Sequence, residues 1–194
     1  MVARVYHLMT KGRDMARIID EEELQSYAAP THETIDWDFP LWSEILPNLW
    51  LGGTDDFDTI EYEANPYTTR NITKNEFDTV VTLYAWARPV DWQVQEMRYG
   101  FYDAELDGNI DFDALFEAAE FAHKHWKAGK RILIRCQAGI NRSGLTMGLV
   151  LLLEGYTPDE AIGLMRSQRS SAVLINKDFE QLIRTVKIGD DSDE

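Results

Sequence analysis

The sequence predicts an α/β fold, with a mostly parallel central sheet flanked by helices in a single domain. The first observation is that short β-branched or aromatic segments alternate with longer segments of helical periodicity, an order typical of parallel strands joined by helical crossovers. The second is that the apolar segment 132–134 leads through residues 136–143 into the helix-like stretch 145–153. In such sheets ligands bind beyond the carboxyl ends of the strands, so residues 136–143 are the first candidate for a site.

The strand assignments depend on enrichment in β-branched and aromatic residues. Four segments have this enrichment, namely residues 49–51, 79–83, 99–102 and 131–135. Residues 84–89 follow the second of these strands. Because the strands are expected to be parallel, we expect residues 84–89 at the same sheet edge as the loop that follows 131–135.

The helix assignments depend on periodicity and on end signals. Residues 113–127 carry apolar side chains at helical spacing, and Gly129 lies just past their end. Gly155 ends the helix that begins near residue 145, and residues 157–160 (Thr-Pro-Asp-Glu) form a capping sequence for the next helix.

The chain is predicted to contain one domain with a short segment on either side. Residues 1–42 are an N-terminal extension, residues 43–187 the domain, and residues 188–194 an acidic disordered tail. Within the extension, residues 8–25 are expected to hold a helix, although its apolar stripe is thin and Gly12 weakens it.

The formal net charge of −15 at pH 7 limits the expected partners. Nucleic-acid binders usually carry a basic patch, and the sequence has no basic cluster, so no nucleic acid is expected. The acidic runs at 20–23, 55–56 and 190–194 are interpreted as solvated surface. No apolar run has the length of a membrane span, so no membrane is expected either. A single cysteine excludes an internal disulfide and fits a reducing, cytoplasmic location.

That cysteine, Cys136, opens a loop whose residues suit phosphate chemistry. Successive N–H groups in a strand-to-helix loop form a nest for an anion, and the start of the next helix adds to it. Cys136 would lie at its base as a nucleophilic thiolate, and the planar guanidinium of Arg142 would bind two phosphate oxygens. Gly139 permits the tight turn, and Ser143 places a hydroxyl near the departing sulfur. The expected phosphate-binding residues are Gln137, Ala138, Gly139, Ile140, Asn141 and Arg142.

A lone cysteine is most often a small buried apolar residue, and this interpretation must be weighed against the chemical one. Gly, Arg and Ser or Thr follow a given cysteine at these offsets by chance on the order of once in a few thousand. The strand before the loop and the helix after it also supply the structure that the chemistry needs. We therefore interpret Cys136 as a nucleophile.

Residues 136–143 resemble the Cys-x5-Arg-Ser/Thr signature of the protein tyrosine phosphatase superfamily, and the nearest group is the dual-specificity phosphatases. Residues 45–53 are similar to that family's opening strand pair and residues 166–182 to its closing segment, so the resemblance spans roughly residues 43–187. It implies a phosphomonoester hydrolase that acts through a phosphocysteine intermediate on phosphotyrosine or phosphoserine/threonine in proteins. It implies neither a metal ion nor any other cofactor.

The reaction also needs a proton donor for the leaving oxygen, usually a carboxylic acid. Four aspartates lie between the predicted strand 99–102 and the helix that follows it: Asp103, Asp107, Asp111 and Asp113. Asp111 and Asp113 are explained as helix caps. The resemblance places the acid in the turn that contains Asp107, with Asp103 as the second choice and an ordinary turn as the alternative.

Three arginines near the loop carry further expectations. Arg135 stands where the family usually has a histidine that orients the loop, and strand alternation is expected to point the Arg135 side chain elsewhere. Arg169 is expected either to contact the substrate or to brace the loop, with a surface ion pair as the alternative. Arg88 is expected to flank the pocket together with Trp86, for which a place in the core is the alternative.

The expected substrate is a phosphorylated protein or another phosphomonoester. Phosphoinositide phosphatases of the superfamily carry lysines inside the loop, whereas Gln137 and Asn141 are neutral. Residues 139–143 also resemble the Gly-x-Asn-Arg-Thr of RNA 5′-triphosphatases, which leaves that activity as the alternative despite the acidic chain. The remaining alternative is a phosphate-binding module without catalysis.

Overall fold

The computed structural model describes residues 6–10, 13–17, 38–54, 71–106 and 110–188. Its strands are β1 (Tyr6–Thr10), β2 (Arg13–Arg17), β3 (Trp42–Leu46), β4 (Leu49–Gly52), β5 (Thr79–Thr82), β6 (Gln95–Arg98) and β7 (Ile132–Arg135). Its helices are α1 (Phe112–Lys127), α2 (Arg142–Leu153), α3 (Pro158–Gln168) and α4 (Lys177–Thr185). The predicted α/β class is confirmed.

The main sheet has five strands in the order β3-β4-β7-β5-β6. β3 and β4 pair antiparallel, whereas β7 pairs parallel with both β4 and β5, and β5 pairs parallel with β6. The strands predicted at 49–51, 79–83 and 131–135 are confirmed. Because β7 is the middle strand, its carboxyl end lies between those of β4 and β5, which is where the candidate loop begins.

The strand predicted at residues 99–102 is wrong, because the strand in this region is β6 and it ends at Arg98. β6 lies at the edge of the sheet, where a polar sequence is tolerated, so apolar enrichment did not indicate it. Two of the nearby aromatic residues serve the core instead: Phe101 is buried there and Tyr99 packs against it. The connection from β6 to α1 therefore begins at Tyr99 and includes Asp103.

The helix expected at residues 8–25 is also wrong, because β1 and β2 form an antiparallel pair in this region. Thr10 pairs with Arg13, and Lys11 and Gly12 are the two residues between them in the sequence. A two-residue connection that contains glycine is a common hairpin signal. Gly12, which weakened the predicted helix, lies in the sequence between the two paired strands.

Both faces of the main sheet are covered. On one face, alternate strand residues pack against residues of all four helices; these strand residues include Leu49, Leu51, Val81, Ile132 and Ile134. On the other face, Val80 and Leu133 pack with loop residues, among them Ile72, Phe77 and Val94. The alternation along β7 places Cys136 with the helix-covered core, where it is 2% exposed.

The helix ends follow the predicted signals. The side chain of Asp111 caps α1 by accepting a hydrogen bond from the N–H of Ala114 at 3.1 Å. Thr157 and Glu160 form the predicted capping box of α3. Gly155 has a φ of 100° just after α2, in the left-handed region that ends helices and that glycine adopts without strain.

An ion pair fixes β5 against β7 at the end of the sheet opposite to Cys136. Asp78 precedes β5 and Arg131 precedes β7, and the backbone N and Nε of Arg131 donate to Oδ2 of Asp78 at 3.0 and 3.1 Å. These hydrogen bonds hold the pKa of the Asp78 carboxyl well below its usual range. The register between β5 and β7, the strand that leads into the Cys136 loop, is thereby secured at the start of both strands.

Some predictions fall outside the described residues, namely the acidic runs at 20–23, 55–56 and 190–194 and the turn that contains Asp107. The division into residues 1–42, 43–187 and 188–194 stays a prediction. No helix among the described residues is both long enough and apolar enough to cross a membrane.

Candidate active site

The candidate site is the loop that joins the end of β7 to the start of α2. Cys136 follows the last residue of β7, and its backbone N donates to the carbonyl of Gly52 at 3.2 Å. The sulfur of Cys136 lies 3.2 Å from Oγ of Ser143 and 3.2 Å from the backbone N of Gly139. The predicted nucleophile and hydroxyl are thus together, and the Gly139 N–H donates to the sulfur.

The loop backbone faces its carbonyls away from the site. Each of the four consecutive carbonyls of residues 137–140 accepts a hydrogen bond from outside the loop. The carbonyl of residue 137 accepts from the N–H of Thr54 at 2.8 Å, and that of residue 140 accepts from the N–H of Leu174 at 3.3 Å. The two carbonyls between them, of residues 138 and 139, accept from Nη2 and Nε of Arg169 at 3.1 and 2.6 Å, respectively. In a trans peptide the N–H points opposite to the preceding carbonyl. The next N–H groups therefore turn inward and form a concave donor surface above the sulfur, which is the geometry of an anion nest.

Gly139 is required at the centre of this loop. Its φ is 73°, and a Cβ at this position would lie 2.3 Å from the carbonyl carbon of Gly52 and 2.5 Å from Nη2 of Arg169. Backbone conformation and space therefore both exclude a side chain. The loop closes tightly against the end of β4 because it carries glycine here.

Arg142 begins α2 and closes the far side of the loop. Its Nη1 donates to the carbonyl of Phe101 at 3.2 Å, and its guanidinium lies over the ring of Tyr84 at 5.3 Å from the centroid. Arg142 is 9% exposed, and its Nε is a buried donor with no hydrogen-bond partner in the described part of the chain. An unsatisfied buried donor is costly, so an acceptor placed at this Nε would be stabilising.

Arg169 lies behind the loop and is 7% exposed. Besides its two bonds to loop carbonyls, its Nη1 donates to the carbonyls of Pro40 and Leu51 at 3.1 and 3.2 Å and to Oγ of Ser43 at 3.2 Å. Burial lowers its pKa to about 10, opposed by the nearby Cys136. Of the two predicted roles for Arg169, this geometry favours bracing of the loop over contact with a substrate.

The region expected to supply the proton donor is only partly described. Asp107 lies outside the described residues. Asp103 is exposed, and its carboxylate accepts hydrogen bonds from Asn141 at 2.9 Å and from Asn176 at 3.0 Å. The sequence did not indicate the roles of Asn176 and Asn141 here. Within the described ranges, no three His, Cys, Asp or Glu residues are grouped so that they could hold a metal ion.

Known proteins resemble this chain in structure but not detectably in sequence. No protein-family model matches the chain, and no curated protein does. Solved structures match. Human DUSP28 has a TM-score of 0.56 at 18% identity, covering 81% of this chain and 95% of its own. Tk-PTP in its active form has a TM-score of 0.54 at 22% identity, covering 74% and 94%.

A third match is the human tyrosine phosphatase-like serine/threonine/tyrosine-interacting protein, with a TM-score of 0.56 at 17% identity, covering 74% of this chain and 93% of its own. The protein has the dual-specificity phosphatase fold. The fold predicted from the resemblance is therefore confirmed. At these identities the matches establish the fold alone.

Arg135 shows how this chain departs from the usual histidine within the dual-specificity phosphatase fold. Its side chain is 1% exposed and points away from Cys136, as the strand alternation predicted. Its Nε donates to Oγ1 of Thr82 at 3.0 Å, and its Nη2 donates to the carbonyl of Arg88 at 2.6 Å and lies 3.4 Å from Oε1 of Glu96. Arg135 therefore ties β7 to β5, to β6 and to the loop that follows β5.

The loop after β5 is held further by Arg98, whose Nη1 binds Glu96 at 2.8 Å and whose Nη2 donates to the carbonyl of Ala87 at 2.6 Å. This loop carries Arg88, which is half-buried, and Trp86, which is 49% exposed rather than in the core. Both lie at the sheet edge predicted for them. A role for Arg88 in substrate binding stays a prediction.

The variant Arg135→His, which carries the histidine that the resemblance led us to expect, should be less stable than this protein. An imidazole is too short to replace the contacts that the guanidinium makes with Thr82, Arg88 and Glu96, so Glu96 and Thr82 lose a buried partner. We expect the free energy of unfolding to fall by about 1–3 kcal/mol, measured by urea denaturation. Arg135→Lys, which keeps the charge but not the planar geometry, is expected to lie between His and the wild type. If Arg135→His were as stable as the wild type, the contacts of Arg135 would not be needed for the stability of the fold.

Proposed function

We propose that the protein is a phosphomonoester hydrolase of the protein phosphatase type, acting through a phosphocysteine intermediate. The observation that supports this most strongly is the buried, unpartnered Nε of Arg142 beside a loop whose N–H groups face inward. A phosphate group would satisfy both at once, because it offers oxygens to the guanidinium and to the loop donors. A carboxylate or a neutral ligand would leave several of these donors unpaired.

In the first step, the Cys136 thiolate attacks phosphorus and forms the S–P bond while the bond from phosphorus to the leaving oxygen breaks. Arg142 and the loop N–H groups hold the three remaining oxygens and stabilise the charge that shifts onto them. Asp107 gives its proton to the leaving oxygen, so that an alcohol or a phenol departs.

In the second step, water attacks phosphorus, and the S–P bond breaks. Asp107, now a carboxylate, takes the proton from the water. The electron pair of the broken bond returns to Cys136 as a thiolate, which the Oγ of Ser143 stabilises by a hydrogen bond from its position 3.2 Å away. The products are inorganic phosphate and the enzyme in its starting state.

The fold by itself does not decide between catalysis and binding. One structural neighbour is described as tyrosine phosphatase-like and as an interacting protein, so a non-catalytic module is the alternative. The chain retains a cysteine, an arginine and a candidate acid in the required order. Retention of all three supports catalysis.

Turnover of a small aryl phosphate tests the proposal directly. We expect the wild type to release phosphate from p-nitrophenyl phosphate and to be inhibited by vanadate. Cys136→Ser should lose this turnover but still bind a phosphopeptide, because the loop N–H donors and Arg142 remain. Phosphate release and isothermal titration measure the two properties. Binding without turnover in the wild type would establish the non-catalytic module instead.

The assignment of Asp107 is tested by the variant Asp107→Asn. We expect kcat for phenyl phosphate to fall by about 10²–10⁴. Wild-type activity is expected to decline as the pH rises and Asp107 loses its proton, and this decline should be absent in the variant. Asp113→Asn, an exposed carboxylate in the first turn of α1, is the matched control and should change neither the rate nor the pH profile. An unchanged profile in Asp107→Asn would remove Asp107 from the mechanism.

We further propose that phosphotyrosine in proteins is the preferred substrate. Arg142 contacts two segments, at Tyr84 and at Phe101, and each segment carries an exposed aromatic ring close to the contact. Trp86 follows Tyr84 by two residues and is 49% exposed, and Tyr102 directly follows Phe101 and is 77% exposed. Aromatic rings favour a flat aromatic substrate through stacking.

Phosphotyrosine peptides are accordingly expected to have a higher kcat/KM than phosphothreonine peptides of the same sequence, and inositol phosphates and 5′-triphosphate RNA are expected to be poor substrates. Phosphate release from all four, measured in parallel, ranks them. The RNA 5′-triphosphatase alternative, supported by the residues around Asn141, would be favoured if the RNA were hydrolysed fastest.

A further inference from the structure

Three separate segments of the chain meet at the carboxylate of Asp103. Its Oδ2 accepts a hydrogen bond from Nδ2 of Asn141 at 2.9 Å, and its Oδ1 accepts one from Nδ2 of Asn176 at 3.0 Å. The same Nδ2 of Asn176 donates to the carbonyl of Ala104 at 3.2 Å. Asn141 belongs to the loop after β7, Asn176 precedes α4, and Asp103 lies between β6 and α1.

The side chain of Asn141 is directed to this meeting point instead of to its own helix. Asn141 is the N-cap residue of α2, where an asparagine oxygen usually accepts a hydrogen bond from the first turn, yet it makes no such bond. Its Oδ1 accepts from the backbone N–H of Asn176 at 3.0 Å, and its Nδ2 binds Asp103. Both ends of the amide thus connect the candidate loop to other segments.

A second contact holds the same connection one residue before Asp107. The backbone N–H of Leu106 donates to Oδ2 of Asp178 at 3.1 Å, and Asp178 lies in the first turn of α4. Leu106 is 3% exposed, which anchors it in the core as well. Residues 103, 104 and 106 are therefore all attached to the N-terminal end of α4, and Asp107 follows them directly in the sequence.

We propose that Asp103 is a positioning residue, which together with Asn141 and Asn176 holds the segment that leads to Asp107 at a fixed place relative to the Cys136 loop. The proposal rests on the proposed function, in which Asp107 is the proton donor. Both carboxylate oxygens of Asp103 already accept hydrogen bonds, from Asn141 and from Asn176, which is the arrangement of a group that holds other segments in place.

A displacement of a catalytic group by about 1 Å can reduce a rate by about 10²-fold. Loss of one contact to an exposed carboxylate is expected to do less, because Asn176 and Asp178 still hold the segment. The effect should be confined to the step that needs the acid, which separates positioning from general loss of structure.

Three variants test this proposal. Asp103→Asn replaces one accepting oxygen by a donor, so one of the two amides then faces an NH2 group. Asn141→Asp places two carboxylates against each other. The double variant exchanges the two side chains, and it can restore every hydrogen bond, since Asn at 103 donates to Asp at 141, and Asn176 still finds an acceptor on each. Asp113→Asn is the matched control.

The readout is the leaving-group ratio, which we define as kcat/KM for 2,4-dinitrophenyl phosphate divided by kcat/KM for phenyl phosphate. Dinitrophenolate departs without a proton, whereas phenolate needs one. Both substrates carry the same phosphate, so a change in phosphate binding, such as that caused by the new charge at position 141, cancels in the ratio. Thermal unfolding verifies that each variant is folded.

We expect Asp103→Asn to raise the leaving-group ratio about tenfold and to keep the decline of activity at high pH. The double variant should return the ratio toward that of the wild type, and Asp113→Asn should leave the ratio unchanged.

An unchanged ratio in Asp103→Asn, or a double variant whose ratio is no closer to the wild type than those of the single variants, overturns the proposal. Loss of the high-pH decline in Asp103→Asn also overturns it, because Asp103 would then be the acid. A wild type that hydrolyses neither ester overturns the proposed function, and the positioning role with it.

Discussion

The outward orientation of four consecutive carbonyls is the constraint on which the rest of the site depends. The donors that hold residues 137–140 come from Thr54 after β4, from Arg169 after α3 and from Leu174 before α4. A short loop cannot keep this arrangement by itself, because its carbonyls would turn toward water or toward its own N–H groups. The folded domain therefore orients the donors before any anion arrives, so little reorganisation is needed when charge moves during a reaction.

The charge of the whole chain and the charge of the site act over different distances. The chain carries −15 at pH 7, but exposed charges more than about 8 Å away are largely screened at physiological salt. Arg142 and Arg169 are 9% and 7% exposed, where screening is weaker and their effect on a bound anion is larger. A pKa of about 10 still leaves Arg169 positively charged near neutral pH. The net negative charge of the chain thus bears on which partners approach, while the buried cations govern what the loop can bind.

The sequence could predict those features whose causes are local. The capping residues of α1 and α3, the apolar middle strands and the spacing from Cys136 to Ser143 all express interactions between residues near in the chain, and the structure has each of them. β6 was missed because an edge strand needs no apolar residues. The contacts of Asp103 join residues 38 and 73 positions apart, and those of Arg169 reach back more than 100 positions. No local pattern could indicate these partners, although an asparagine at the start of α2 was a signal that a polar contact had to be made there.

Two polar networks hold the two sides of the site, and they differ in the cost of opening them. On one side, Arg135 and Glu96 are 1% and 12% exposed and hold the loop that carries Trp86. Breaking a buried charged pair leaves an unpaired charge in the interior, which is strongly unfavourable. On the other side, Asp103 is exposed, so its hydrogen bonds to Asn141 and Asn176 compete with water and each contributes less. This side is held by several such bonds together with the burial of Leu106, which is 3% exposed. Loss of one hydrogen bond should therefore cost less on the Asp103 side than on the side held by Arg135.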